Sequence, residues 1–225
     1  MVNGITGVIR EQKITDLILG LHQKSILTDT LLGSASGNIL GWSNITTFIY
    51  RPVQPLATIK RTIVVIPAGA ENEIGFVLWM QKIINVIKNT GSTLVFYATK
   101  QTLAYLKEAY AKSIINAEYK VFKDWDDFLV LSRELKNDDN LIVVMSRKNH
   151  LSYHSKMAKM PLYLNRYFQK NSFILVYPVQ IATDDEISEN SPVSTVKKAL
   201  LRFDDIGKLL EKMYKKKKPG SSSGS

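Results

Sequence analysis

The chain has 225 residues, 45% of them hydrophobic, with 30 Lys and Arg against 20 Asp and Glu and no cysteine. That is enough apolar material for a packed core, so wholesale disorder is excluded, as are disulfide frameworks, zinc ribbons and thiol nucleophiles. Apolar runs such as 62–66 and 141–145 fall far short of the ~20 residues of a membrane helix, and the start has no secretory-signal pattern.

In chain order, residues 4–12 read as a helix, 14–19 as a strand, 29–40 as a helix ended near Gly41, and 45–50 as a strand. A regular alternation follows. Residues 62–66 form a β-branched run, the mark of a buried strand. Over 73–89 apolar residues fall at 76, 77, 80, 83, 84 and 87, which predicts an amphipathic helix stopped by Gly91. Strands are predicted over 93–98, 117–122, 141–145 and 173–177. Helices are predicted over 101–111, 124–135 (with Asp124 as N-cap) and 153–168. Five strands alternating with four helices imply right-handed crossovers and a doubly wound parallel five-stranded α/β sheet.

The first 60 residues repeat the end of that plan. Tyr50-Arg51-Pro52-Val53-Gln54 matches Val176-Tyr177-Pro178-Val179-Gln180, and Asp16-Leu17-Ile18-Leu19 matches Asn140-Leu141-Ile142-Val143. The domain reading is therefore a partial copy over 1–56, holding only the last two strands, and a complete copy over 57–181. A basic, partly helical and flexible tail follows over 182–225. The partial copy is too small to bury a core alone, so it must lean on the complete copy, a partner chain or further sequence. The two last strands, 45–50 and 173–177, are expected to lie together.

Between the strand and helix of the first copy lies Gly20-Leu21-His22-Gln23, then nine residues, then Gly33-Ser34. Glycine at a strand exit allows a tight turn, and backbone N–H groups there can hold a phosphate. The spacing resembles the nucleotide loop of the universal stress protein family, which belongs with the adenine nucleotide alpha hydrolase-like folds. The resemblance implies ATP or another adenine nucleotide at Gly20, Gln23, Gly33 and Ser34, with Gln23 standing where the family has glycine. The second copy carries Ser146-Arg147-Lys148-Asn149 in the corresponding loop. Its first strand exits through Pro67-Ala68-Gly69, without the family's nucleoside-holding Asp, so that copy is expected to be empty.

The stretch from Gly4 to Gln180 also resembles the cytoplasmic C-terminal region of bacterial monovalent cation:proton antiporters of the sodium/hydrogen exchanger type. The carrying segments are Asp16-Leu17-Ile18-Leu19-Gly20-Leu21-His22, Lys123-Asp124-Trp125-Asp126-Asp127 and Tyr177-Pro178-Val179-Gln180. The resemblance implies a soluble regulatory or scaffolding region on the cytoplasmic side of the inner membrane. Its partners would be the membrane transport domain of the parent protein and a second chain in a homodimer. None of the antiporter ion-site residues maps onto this chain. The alternative is a stand-alone tandem universal stress protein that binds ATP.

The +10 net charge is concentrated: residues 195–218 hold nine Lys and Arg against three acids, ending in Lys215–Lys218 and a Gly/Ser tail. That run reads as a solvated tail or a contact with an anionic membrane surface. No basic, aromatic-studded face suggests nucleic acid as a partner. His150 and His154 stand four apart without a third ligand nearby, so no metal is expected. Asp124, Asp126 and Asp127 suit a first helical turn. Tyr163, Leu164, Tyr167 and Phe168 fall at helical spacing as core or interface residues. No triad, paired catalytic carboxylates or Walker-type loop is present, so the sequence predicts no enzyme.

Overall fold

The computed structural model describes residues 2–12, 14–21, 40, 44–110 and 116–180. The β-branched and aromatic runs become seven strands: β1 (Asp16–Gly20), β2 (Thr46–Arg51), β3 (Arg61–Val65), β4 (Thr93–Ala98), β5 (Ala117–Val121), β6 (Asp139–Val144) and β7 (Ser172–Tyr177). They form one sheet in the order β1-β2-β7-β6-β3-β4-β5. Every neighbouring pair is parallel except β2 and β7.

The helices are α1 (Val2–Glu11), α2 (Phe76–Thr90), α3 (Lys100–Ala109), α4 (Leu131–Glu134) and α5 (Met160–Tyr167). On one face α2 and α3 bury Phe76, Trp79, Met80 and Leu106 against Val64, Phe96, Ile142 and Val176. On the other, Trp125, Phe128, Met160, Leu164 and Phe168 cover Ile63, Val95, Leu141 and Leu175. Alternate strand residues serve opposite layers, as a doubly covered sheet requires.

Two predicted helices are shorter than their sequence pattern. The segment read as 124–135 is a 3₁₀ turn over Trp125–Val130 that becomes α4 only at Leu131. Its buried anchors Trp125, Phe128 and Leu131 are spaced by three, and a three-residue turn puts all of them on one face. Asp124 does cap it, accepting from the Asp126 N–H at 3.3 Å. The segment read as 153–168 opens with a 3₁₀ turn over Ser155–Lys159, and α5 begins at Met160 with Pro161 in its first turn. The helix expected over 29–39 lies outside the described residues.

The two last strands do lie together. Their antiparallel register sets Ile49 opposite Leu175, Phe48 opposite Val176 and Tyr50 opposite Ile174. By the repeat alignment Ile49 and Leu175 are counterparts, so an approximate two-fold axis passes between them, normal to the sheet. Side-chain bonds obey the same symmetry. The Val179 N–H donates to Thr46 Oγ1 at 3.2 Å, and the Val53 N–H donates to Ser172 Oγ at 2.9 Å. Gly75 completes the seam: a Cβ there would stand 2.4 Å from the Val179 carbonyl oxygen, so only glycine admits this approach.

Candidate functional site

In parallel α/β sheets ligands gather outside the carboxyl ends of the strands. Because β2 and β7 are antiparallel, the two copies present those ends at opposite edges of the molecule. The loop after β6 belongs to one end and the loop after β1 to the other.

The loop after β6 is committed to structure. Arg147 is half-buried in the seam: its guanidinium donates to the Ile45 carbonyl at 3.0 Å and the Leu40 carbonyl at 3.5 Å of the first copy, and to the Pro178 carbonyl of its own. Burial pushes this guanidinium down to about 10, which leaves it charged at neutral pH. Gln180, fully buried, accepts from the Arg147 N–H at 2.9 Å and donates to Ser146 Oγ at 2.7 Å. Farther along, Glu73 accepts from both the N–H and the hydroxyl of Ser152, at 2.9 and 2.7 Å. Leu151 then lies over Gly69, 3.5 Å from where a Cβ would be.

What remains at this end is a cleft of about 220 Å³ lined by residues that include Thr99, Lys123, Tyr153 and His154. Drug-sized ligands occupy roughly 300–1,000 Å³. The cleft is smaller than that range. Around it the Arg147 N–H is engaged by Gln180, and the buried acids Glu71 and Glu73 are held by Thr102 and Ser152.

The end that carries the first copy is different. Gly20 closes β1, exposed, with nothing among the described residues within 4 Å of where its Cβ would lie. Its backbone can be approached closely, as a phosphate loop requires. Gln23, Gly33 and Ser34 lie outside the described residues. The register corrects one alignment: Gly20 pairs with Tyr50 and Val144 with Val176, so Gly20 stands level with Val144. The counterpart of Gly20-Leu21-His22-Gln23 is thus Val144–Arg147, two residues earlier than the sequence reading placed it, and Gln23 corresponds to Arg147.

One residue was missed by sequence reasoning. Gln54 is the counterpart of Gln180 at this end, and its buried Nε2 has no partner among the described residues. It follows β2 at the end of the strand where Gly20 pairs with Tyr50, and as an amide N–H donor it is chemically suited to an anionic group. The repeated Pro-Val-Gln was the available signal.

The remaining candidates fall to ordinary roles. His154 Nδ1 accepts from the Lys156 N–H at 3.3 Å and caps the turn that follows. Asp124 lies 3.8 Å from Lys156 Nζ, which also pairs with Asp126. Among the described residues no group of three His, Cys, Asp or Glu could hold a metal, and no helix is long and apolar enough to cross a membrane. The lysine-rich tail lies outside the described residues.

A mostly parallel open sheet with helices on both faces, in this strand order, is a universal stress protein-like fold. No family model matches the sequence, and none of the curated proteins matches it. Among solved structures the chain is similar to a universal stress protein from Archaeoglobus fulgidus DSM 4304, with TM-score 0.50, 15% identity and 82% of this chain covered. A putative universal stress protein from Pseudomonas aeruginosa UCBPP-PA14 gives TM-score 0.52 at 9% identity over 95%. A functionally unknown protein from Pseudomonas aeruginosa PAO1 gives 0.50 at 10% identity over 96%. The chain spans 66% of the length of the first and 73% of the other two. At such identities the likeness concerns the fold alone.

Proposed function

We propose that this chain is a binding and regulatory module of the universal stress protein kind, not an enzyme. Its second copy serves as a scaffold, and its first carries a candidate adenine-nucleotide loop. The observation behind this reading is the unequal use of the two loops. Arg147 and Gln180 engage the second, whereas in the first, among the described residues, nothing stands within 4 Å of a Cβ at Gly20 and Gln54 Nε2 has no partner. ATP titration by calorimetry tests it. Weak binding to the chain, lost in Gly33→Val and reduced in Gln54→Leu, is the expected result. Tight binding that survives Gly33→Val would put the site elsewhere.

A second, narrower reading makes the module the cytoplasmic regulatory region of a monovalent cation:proton antiporter. Its support is the order and spacing of the three resembling segments, together with a lysine-rich tail suited to an anionic lipid surface. The transport domain would be its partner, on the cytoplasmic side of the inner membrane. The sheet constrains any homodimer. The last-strand edges already pair within one chain, so a dimer must use another surface. Tagging the gene at its chromosomal locus separates the readings: a large membrane-bound product supports the antiporter, and a soluble product of about 25 kDa (the mass of this chain) sinks it.

A further inference from the structure

β1 and β6 are the same strand in the two copies, yet their surroundings differ. β6 lies between β7 and β3, and all six of its residues are buried. β1 has β2 on one side and, among the described residues, no strand on the other; none of its five residues is buried. The contrast is sharpest at Ile18, the counterpart of Ile142. Both point to the face that α2 covers, since Ile18 is level with Phe48 and Phe48 with Val176. Ile142 is 1% exposed and Ile18 is 73% exposed. The second copy's α2 reaches β1 through Lys82, whose Nζ lies 2.5 Å from Asp16 Oδ1, and Ile18 lies beyond that cover.

We infer that β1 is a docking edge for a polypeptide outside these 225 residues: a short strand that adds parallel to β1, followed by an amphipathic helix whose apolar stripe covers Ile18. The seam's two-fold relation selects this occupant. Applied to the second copy, it carries β3 to the place beside β1, in parallel orientation. It carries α2 to the face above Ile18. This edge, unpaired among the described residues, continues a hydrogen-bonded sheet already in place, and an open strand edge with apolar side chains is a pairing template. A second copy of this chain fits less well. Two β1 edges meeting about a two-fold axis would run antiparallel and bring no helix to the Ile18 face. The inference rests on the two-copy fold and holds whether or not a nucleotide binds.

The absence of cysteine gives a clean test, because Ile18→Cys and Ile142→Cys each supply a unique thiol. In the purified chain, Ile18→Cys should react with a fluorescent maleimide at least about tenfold faster than Ile142→Cys, with the two rates converging in urea. In extracts of cells expressing the protein from its own locus, the Ile18→Cys thiol should be protected to the level of Ile142→Cys. A photo-crosslinking residue at position 18 should then capture a peptide from outside this chain with a β-branched run followed by helical apolar spacing. Capture of residues 181–225, of a second copy, or of a peptide without that pattern overturns the inference. So does equal reactivity of Ile18→Cys in extract and in the purified chain.

Discussion

After β6 the chain passes Ser146 and Arg147 and is gripped at once, by Gln180 from its own copy and by carbonyls from the other. β1 itself ends on an exposed Gly20, the counterpart of Val144, with nothing among the described residues within 4 Å of where its Cβ would lie. The second copy thus uses its strand exit for cohesion, and the described part of the first does not. The exchange is concentrated in one position. Arg147 brings a buried guanidinium where the first copy has Gln23. That guanidinium is committed to the seam, with two carbonyls of the first copy and the Pro178 carbonyl of its own.

Stability measurements probe this division most strongly through the paired isoleucines. Ile142→Ala should cost about 2–5 kcal/mol, as deletions from tight cores do, whereas Ile18→Ala should stay within about 0.5 kcal/mol. Equal losses in urea melts would mean that β1 is covered within the isolated chain. Next in size is Arg147→Met, which strands buried carbonyls while relieving a buried charge, for a net loss of about 1–3 kcal/mol. Hydrogen exchange should localise that loss to 44–51 and leave β3, β4 and β5 protected. Loosening spread evenly across the sheet would remove Arg147 from its place in the seam.

Alkaline pH gives a smaller effect. Burial pushes the Tyr177 phenol up to about 12, above its ordinary value, so the folded state keeps a proton that the unfolded chain sheds. Stability from this group is intact below pH 10 and is lost as the pH rises toward 12, about 1 kcal/mol by pH 11. Tyr110, still more strongly raised by burial, adds in the same direction. Arg147, lowered by the same burial, opposes them above pH 10. The tyrosines should prevail, giving a net fall between pH 8 and 11 that Tyr177→Phe reduces. A net rise would show that the seam arginine dominates the titration.

Periodicity made the strands and the layer order legible, because a parallel sheet buried on both faces writes itself as β-branched runs. That residues 45–50 would lie beside 173–177 was also readable from the repeat, though its antiparallel sense was not. The 3₁₀ turns were not. Trp125 and Phe128 satisfy a three-residue and a four-residue period almost equally, and only packing decides between them. The fate of the second loop was half legible. The missing glycines were visible in the sequence, but nothing local showed that Arg147 would turn toward the Ile45 and Leu40 carbonyls, more than 100 residues away. Gln54 went unremarked because its role depends on the same distant symmetry.

The antiparallel seam also orders events in time. β1 and β2 leave the ribosome before β3 to β7, but the partner that holds them is β7, whose last residue lies about 125 positions after the end of β2. At ~5–20 residues per second, synthesis of that stretch takes roughly 6–25 s. For that interval Thr46–Arg51 is a nascent strand with neither edge secured by β7, while β3 to β6 can already pair among themselves. Of the two copies, the one made earlier is the one that must wait longer. It is therefore the copy more in need of a chaperone or a neighbouring strand during biogenesis.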